Sequence, residues 1–245
     1  MMLRVAFVSL ILLAGGVNAV QAESLAFDRC ENPRLMPDVR IGACKTMIAR
    51  GSQYRNLPID LGDAYRFNRD YPDAIAAYSL AVQPPLDPFP DAHGRPYAAA
   101  FEGRALAYLG GGQYDNAMAD ADSIIKVEAG SADALSRRCW IRAVAGKDLD
   151  GALSDCNAAL ESDPENAHAL DALGFVLFRR GDLKAAIADY DATLDKHPKT
   201  ASSLYMRGIA KHASGDATGG DADIASAKEL EPYIADEFVG YGVKP

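Results

Sequence analysis

Cysteine is scarce in this chain, tryptophan occurs once, and basic charge is outnumbered by acidic charge. Four cysteines among 245 residues are too few to build a disulfide miniprotein. None forms a C-x-x-C pair, which excludes zinc-ribbon and thioredoxin-type chemistry. Lysine and arginine number 25 against 34 aspartates and glutamates, a net charge of −9. Such a surface repels phosphate backbones and anionic lipid, so nucleic acid is not an expected ligand. No H-E-x-x-H, G-x-S-x-G or P-loop pattern occurs, and His93, His168, His197 and His212 are scattered. The pairs Asp120/Asp122 and Asp189/Asp191 are two apart, so on a helix they diverge instead of sharing a metal. No catalytic residue, metal or cofactor is expected.

Long apolar runs are also missing. Val5 to Ala14 is apolar, but it breaks at Gly15-Gly16, about half the 20 or so residues that span a bilayer. With Arg4 before it and Val20-Gln21-Ala22 after it, residues 1–22 read as a cleaved signal peptide. Cleavage before Glu23 removes one basic residue and no acid, deepening the net charge to −10. Cys30 lies too far downstream for a lipoprotein anchor. A periplasmic or extracellular chain without membrane insertion is expected.

What is present is hydrophobic residues in quantity, 49% against 24% charged, enough to fold, and a repeat. Pro164, Pro198 and Pro232 are spaced by 34 and 34. In the clearest copy, Leu170, Leu173 and Leu177 make the apolar stripe of one helix. Gly181-Asp182 is the turn, and Leu183, Ala186, Ile187, Tyr190 and Leu194 stripe a second helix that Pro198 ends. Gly174 and Ala186 are small where the two helices cross.

Leu173-Gly174, Ala186, Tyr190 and Pro198 make this segment resemble the tetratricopeptide repeat, a 34-residue helical hairpin. Leu204, Gly208, Ala227 and Pro232 repeat the pattern, as do Leu135, Cys139, Ala152, Cys156 and Pro164. Upstream, Leu61-Gly62, Ala74 and Tyr78, and then Phe101, Ala105, Tyr108 and Ala117, do the same. The resemblance implies an all-α fold, an α-α superhelix of five hairpins at 55–88, 98–131, 132–166, 167–200 and 201–234. Before it, segment 23–54 carries a lone capping helix over Asp38 to Arg50. After it, 235–245 is a cap and tail, with a short helix over Tyr233 to Val239. The step of 43 from Ala74 to Ala117 holds a Pro-rich insertion, 83–97, read as a stiff extended loop. The step of 35 to Ala152 places one extra residue in the turn Ala145 to Asp148, which keeps Arg104, Arg138 and Arg207 in register.

In an oxidising compartment four cysteines suggest two bridges, with three connectivities open. Local pairs are favoured: Cys139–Cys156 across the third hairpin's crossing, and Cys30–Cys44 pinning an irregular leader to the capping helix. Two free buried thiols are the alternative for the first pair.

The family lines its concave face with positions 2, 5, 9, 12 and 13 of each first helix. Carried over, the resemblance assigns a partner-binding strip of Leu106, Leu109, Trp140, Phe175, Phe178, Tyr205 and Ile209, with Arg66, Arg142 and Arg179 as rim cations. The Lys and Asn of charge-clamp members are missing at positions 5 and 9, so recognition of a terminal carboxylate is not expected. The implied function is a non-catalytic scaffold that holds a protein or peptide partner in its groove. Two alternatives stand beside it: self-assembly into a homo-oligomer, and an accessory envelope subunit or enzyme using His168 and His212. A contiguous apolar strip usually marks a partner surface; the competing reading packs these side chains into neighbouring helices or under the Pro-rich insertion.

Overall fold

The computed structural model describes residues 24–52, 54, 56–83 and 95–243, and every regular element among them is a helix. The expected signal peptide 1–22, most of the Pro-rich insertion and His93 lie outside the described residues. Helix α1 covers 24–31 and α2 covers Pro37–Ala49. Five hairpins follow: α3 (Leu57–Phe67) with α4 (Tyr71–Ala81), α5 (Arg95–Gly110) with α6 (Tyr114–Val127), and α7 (Ala132–Ala145) with α8 (Leu149–Ser162). Then come α9 (Ala167–Arg180) with α10 (Leu183–Lys196), α11 (Ala201–Ser214) with α12 (Ala217–Leu230), and a final short helix, α13 (Ile234–Gly240). No helix of the described residues is long and apolar enough to cross a membrane.

In the fourth and fifth hairpins one short sequence ends the first helix and starts its partner. Gly181 and Gly215 adopt φ of 83° and 97°, the left-handed conformation that closes a helix and that glycine reaches without strain. The next residue, Asp182 or Asp216, caps the following helix by accepting from the backbone N–H of Ala185 or Gly219. In the third hairpin Lys147 is interposed between Gly146 and the cap Asp148, so the extra residue is absorbed in the turn and the helices keep their register.

Within each hairpin the helices cross at the positions held by Gly174 and Tyr190. A Cβ on Gly174 would stand 2.7 Å from the Tyr190 ring, so the ring fills the space that the glycine leaves. The first hairpin uses Gly62 and Tyr78 in the same way, and the second uses two fully buried alanines, Ala105 and Ala121. The third places its disulfide there: Cys139 and Cys156, both without solvent exposure, are bridged with Cα atoms 5.5 Å apart.

An arginine ladder links successive repeats. Arg104 makes paired bonds of 2.8 and 2.7 Å to Asp120 and reaches back to Ser79 of the preceding hairpin at 3.0 Å. Arg138 joins Asp155 to Asp122, and Arg207 joins Asp223 to Asp191. Burial disfavours the charged form of Asp223, but the bonds from Arg207 and Lys211 outweigh it and hold its carboxyl below the usual range.

Three features differ from the sequence reading. The leader is helical, not irregular: Ala26 and Cys30 share one face of α1 and are buried, and the Phe27 ring lies 4.8 Å from Tyr54. The Cys30–Cys44 bridge and a bond from Arg40 Nε to the Cys30 carbonyl tie this helix to α2 as a hairpin. Helix α5 begins at Arg95, inside the segment read as loop, because proline is tolerated in a first turn, whose N–H groups have no partner in the helix. The largest difference is at the C-terminus, where α13 lies in the groove.

Candidate functional site

The first helices α3, α5, α7, α9 and α11 bring their equivalent positions onto one concave face. Ile59, Asp63, Glu102, Trp140, His168 and Asp171, from four of these helices, line a single cavity of about 390 Å³. One wall of that cavity is the chain's own C-terminal segment: Ile234, Glu237, Phe238 and Tyr241.

The predicted strip does come together, and it is covered. Leu106, Phe175, Tyr205 and Ile209 are buried, while Trp140, Leu109 and Phe178 are partly exposed and pack against the same core. Part of the cover comes from neighbouring hairpins, with Trp140 and Phe175 rings 5.0 Å apart, and part from the chain's own C-terminal segment. The Phe238 ring sits 5.2 Å from Tyr205, 6.0 Å from Phe175 and 6.1 Å from Trp140. Tyr241 approaches Trp140 edge-on at 5.5 Å. Edge-to-face and offset contacts of this kind favour aromatic pairs beyond their buried area.

The rim cations are engaged too. Arg66 Nη1 donates to the Tyr241 hydroxyl at 2.9 Å and lies 3.7 Å from the Glu237 carboxylate. Burial raises the Tyr241 phenol well above its ordinary range, so it stays a hydroxyl and donates to Glu237 at 2.7 Å. Arg179 donates to the Tyr241 carbonyl at 3.5 Å. Arg142 faces its own hairpin, bonding Asp155 and the Gly151 carbonyl. All three were read as available rim cations, and each has a partner within the chain.

The open part of the cavity is acidic. Burial pushes Asp171 up although Ser203 donates to it at 2.6 Å. Glu231 is raised by burial, with Glu237 and Asp171 adding to the effect. Glu102 is paired with Arg137. Of the histidines, His168 lines the cavity, whereas His212 pairs with Asp221 at 3.0 Å on its own hairpin.

Sequence reasoning missed Phe238 and Tyr241 as groove residues. The available signal was Ile234, Phe238 and Tyr241 at i, i+4 and i+7, an apolar helical stripe with no repeat partner to bury it.

The tetratricopeptide repeat family profile matches residues 102–167, 141–201 and 172–220. The chain is a tetratricopeptide-repeat protein. Its array is similar in fold to TTC0263, a thermophilic member from Thermus thermophilus, with 18% identity, TM-score 0.56, and coverage of 77% of this chain and 97% of that one. It is also similar to a tetratricopeptide repeat protein from Parabacteroides merdae, at 15% identity and TM-score 0.50, covering 90% and 88%. Among curated proteins, Protein unc-45 homolog B of Xenopus laevis is 33% identical over 112 residues, 46% of this chain. The match spans 11% of that relative's length. The fold is that of a protein–protein interaction scaffold.

Proposed function

We propose that this tetratricopeptide-repeat protein is a non-catalytic scaffold, exported to the periplasm, that binds a protein or peptide segment along its concave face. The observation that carries this reading is the convergence of first-helix positions on one cavity that continues into an aromatic cluster already holding a helical segment. Rigid stacked hairpins present that surface preformed, so little ordering cost falls on binding.

The test is cross-linked affinity capture from envelope extract, comparing the wild type with Ala99→Arg and Ser202→Arg, which fill the cavity from two lining positions. Partners lost from both variants, at unchanged helical content, support the concave site; the same partners retained overturn it. Cell fractionation with mass determination of the N-terminus tests export, with a chain starting at Glu23 the expected product and an intact Met1 leader the contrary one.

Self-association is a second reading with an observation of its own. Leu25, Met36, Val39 and Ile48, all in the N-terminal hairpin, are among the few large apolar side chains left exposed among the described residues. A sedimentation coefficient that rises with concentration, and falls back in Met36→Asp, would favour it.

A further inference from the structure

The C-terminal segment occupies the groove as a ligand would. Its seven-residue helix is far too short to persist alone in water, and it follows α12 after only Glu231, Pro232 and Tyr233. Its grip comes from distant parts of the chain: Arg66 is 175 residues away from Tyr241, and Arg179 is 62 away. The fit is also incomplete. Arg66 Nε and the Tyr205 hydroxyl, both in the residues that hold the segment, are out of contact with solvent and have no hydrogen-bond partner. A buried donor left unmet is costly, and a ligand that supplied an acceptor there would bind better than the segment does.

We propose that α13 with its following turn is a displaceable internal ligand, and that the external partner is a helical segment of another protein with the same chemistry. That chemistry is an acidic residue directly before an aromatic, with a second aromatic three positions on, as in Glu237, Phe238 and Tyr241. The acid and hydroxyl address Arg66, and the first aromatic enters the cluster of Trp140, Phe175 and Tyr205. The proposal rests on the concave-face reading above and adds its regulation: the groove is self-occluded, and apparent affinity falls by the fraction of time it is closed.

The probe is a fluorescently labelled peptide of residues 231–243, titrated by anisotropy into full-length protein. The variant carrying both Phe238→Ala and Tyr241→Ala should bind it at least tenfold more tightly than the wild type, whose tethered copy competes at high effective concentration. Adding Arg66→Ala to that variant should weaken binding about tenfold. Should the double variant lose helical content, Tyr241→Phe, which keeps the ring and removes the hydroxyl, is expected to bind the peptide measurably more tightly than the wild type. Equal binding to wild type and variants, or binding to none of them, overturns the proposal. A wild type that sediments as a dimer, dissociating in the Phe238→Ala and Tyr241→Ala variant, overturns it in favour of exchange with a second copy of the chain. The two readings fail separately. Peptide binding by the double variant with partner capture indifferent to Ala99→Arg and Ser202→Arg removes the scaffold function and leaves the plug. Capture that depends on the cavity, with no peptide binding, removes the plug alone.

Discussion

Asp189 occupies the ladder position that Asp120, Asp155 and Asp223 hold in other repeats, but the residue across from it is Leu173 where those repeats carry arginine. Its Oδ2 is buried without a partner. Burial, with the charge of Asp171 adding to it, pushes this carboxyl up to about 6. The folded state therefore binds the proton more tightly than the unfolded chain does. The associated stability is present below about pH 4 and is lost as pH rises through 6. Asp189→Asn is expected to stabilise the protein at pH 7.5 by about 1 to 2 kcal/mol after allowing for solvent screening. Urea titrations at pH 7.5 and 4.5 check this, since the gain should shrink at the lower pH. Leu173→Arg should give a similar gain at pH 7.5 by restoring the pair. The register of the arginines was readable from the repeat spacing. The missing partner at Leu173 is visible in the same alignment, but its consequence needs the burial of Asp189, which no spacing conveys.

At the scale of the hairpin, one crossing site accepts four pairings: glycine against tyrosine, glycine against isoleucine, alanine against alanine, and a disulfide. All fill a similar volume between helices that cannot approach more closely. Gly174→Ala places a methyl group 2.7 Å from the Tyr190 ring, and an overpacked site of this kind should cost about 1 to 3 kcal/mol in urea denaturation. Replacing both Cys139 and Cys156 by alanine opens a cavity and releases a loop with a sequence separation of 17, a loss of about 3 kcal/mol in the chain-entropy model. Cys139→Gly with Cys156→Tyr should recover part of that loss, because the first and fourth hairpins already use that pair; thermal melts of the three proteins check the order. The period and the hairpin boundaries were legible because each repeat solves the same packing problem with nearly the same residues. Helix α1, the early start of α5 and the placement of α13 were not, because none belongs to the period. An isolated stripe such as Ile234, Phe238 and Tyr241 indicates that a face is buried without naming what buries it.

For the whole molecule, the groove and the C-terminus have to be considered together. Trp140, Phe175 and Tyr205 were expected on a binding surface, and they do face the concave side, but their exposed area is spent on Phe238 and Tyr241. The same segment faces the N-terminal hairpin and the end of α3 across a cavity that Tyr233 and Asp236 line together with Met36, Arg40 and Phe67. Arg66→Ala removes the bond to Tyr241 and the contact with Glu237, and it should open the superhelix; an increased radius of gyration in small-angle scattering, at unchanged helical content, is the expected result.

A solenoid ordinarily melts like a line of coupled units, fraying from whichever terminus is weaker. The contact between Arg66 in the first repeat and Tyr241 beyond the last joins the two termini of that line. That tie couples the first repeat to the segment following the last, so neither end can fray without breaking it. Heat should then unfold the wild type in one sharp step, and severing the tie should return it to the broad, sequential unravelling of an open array.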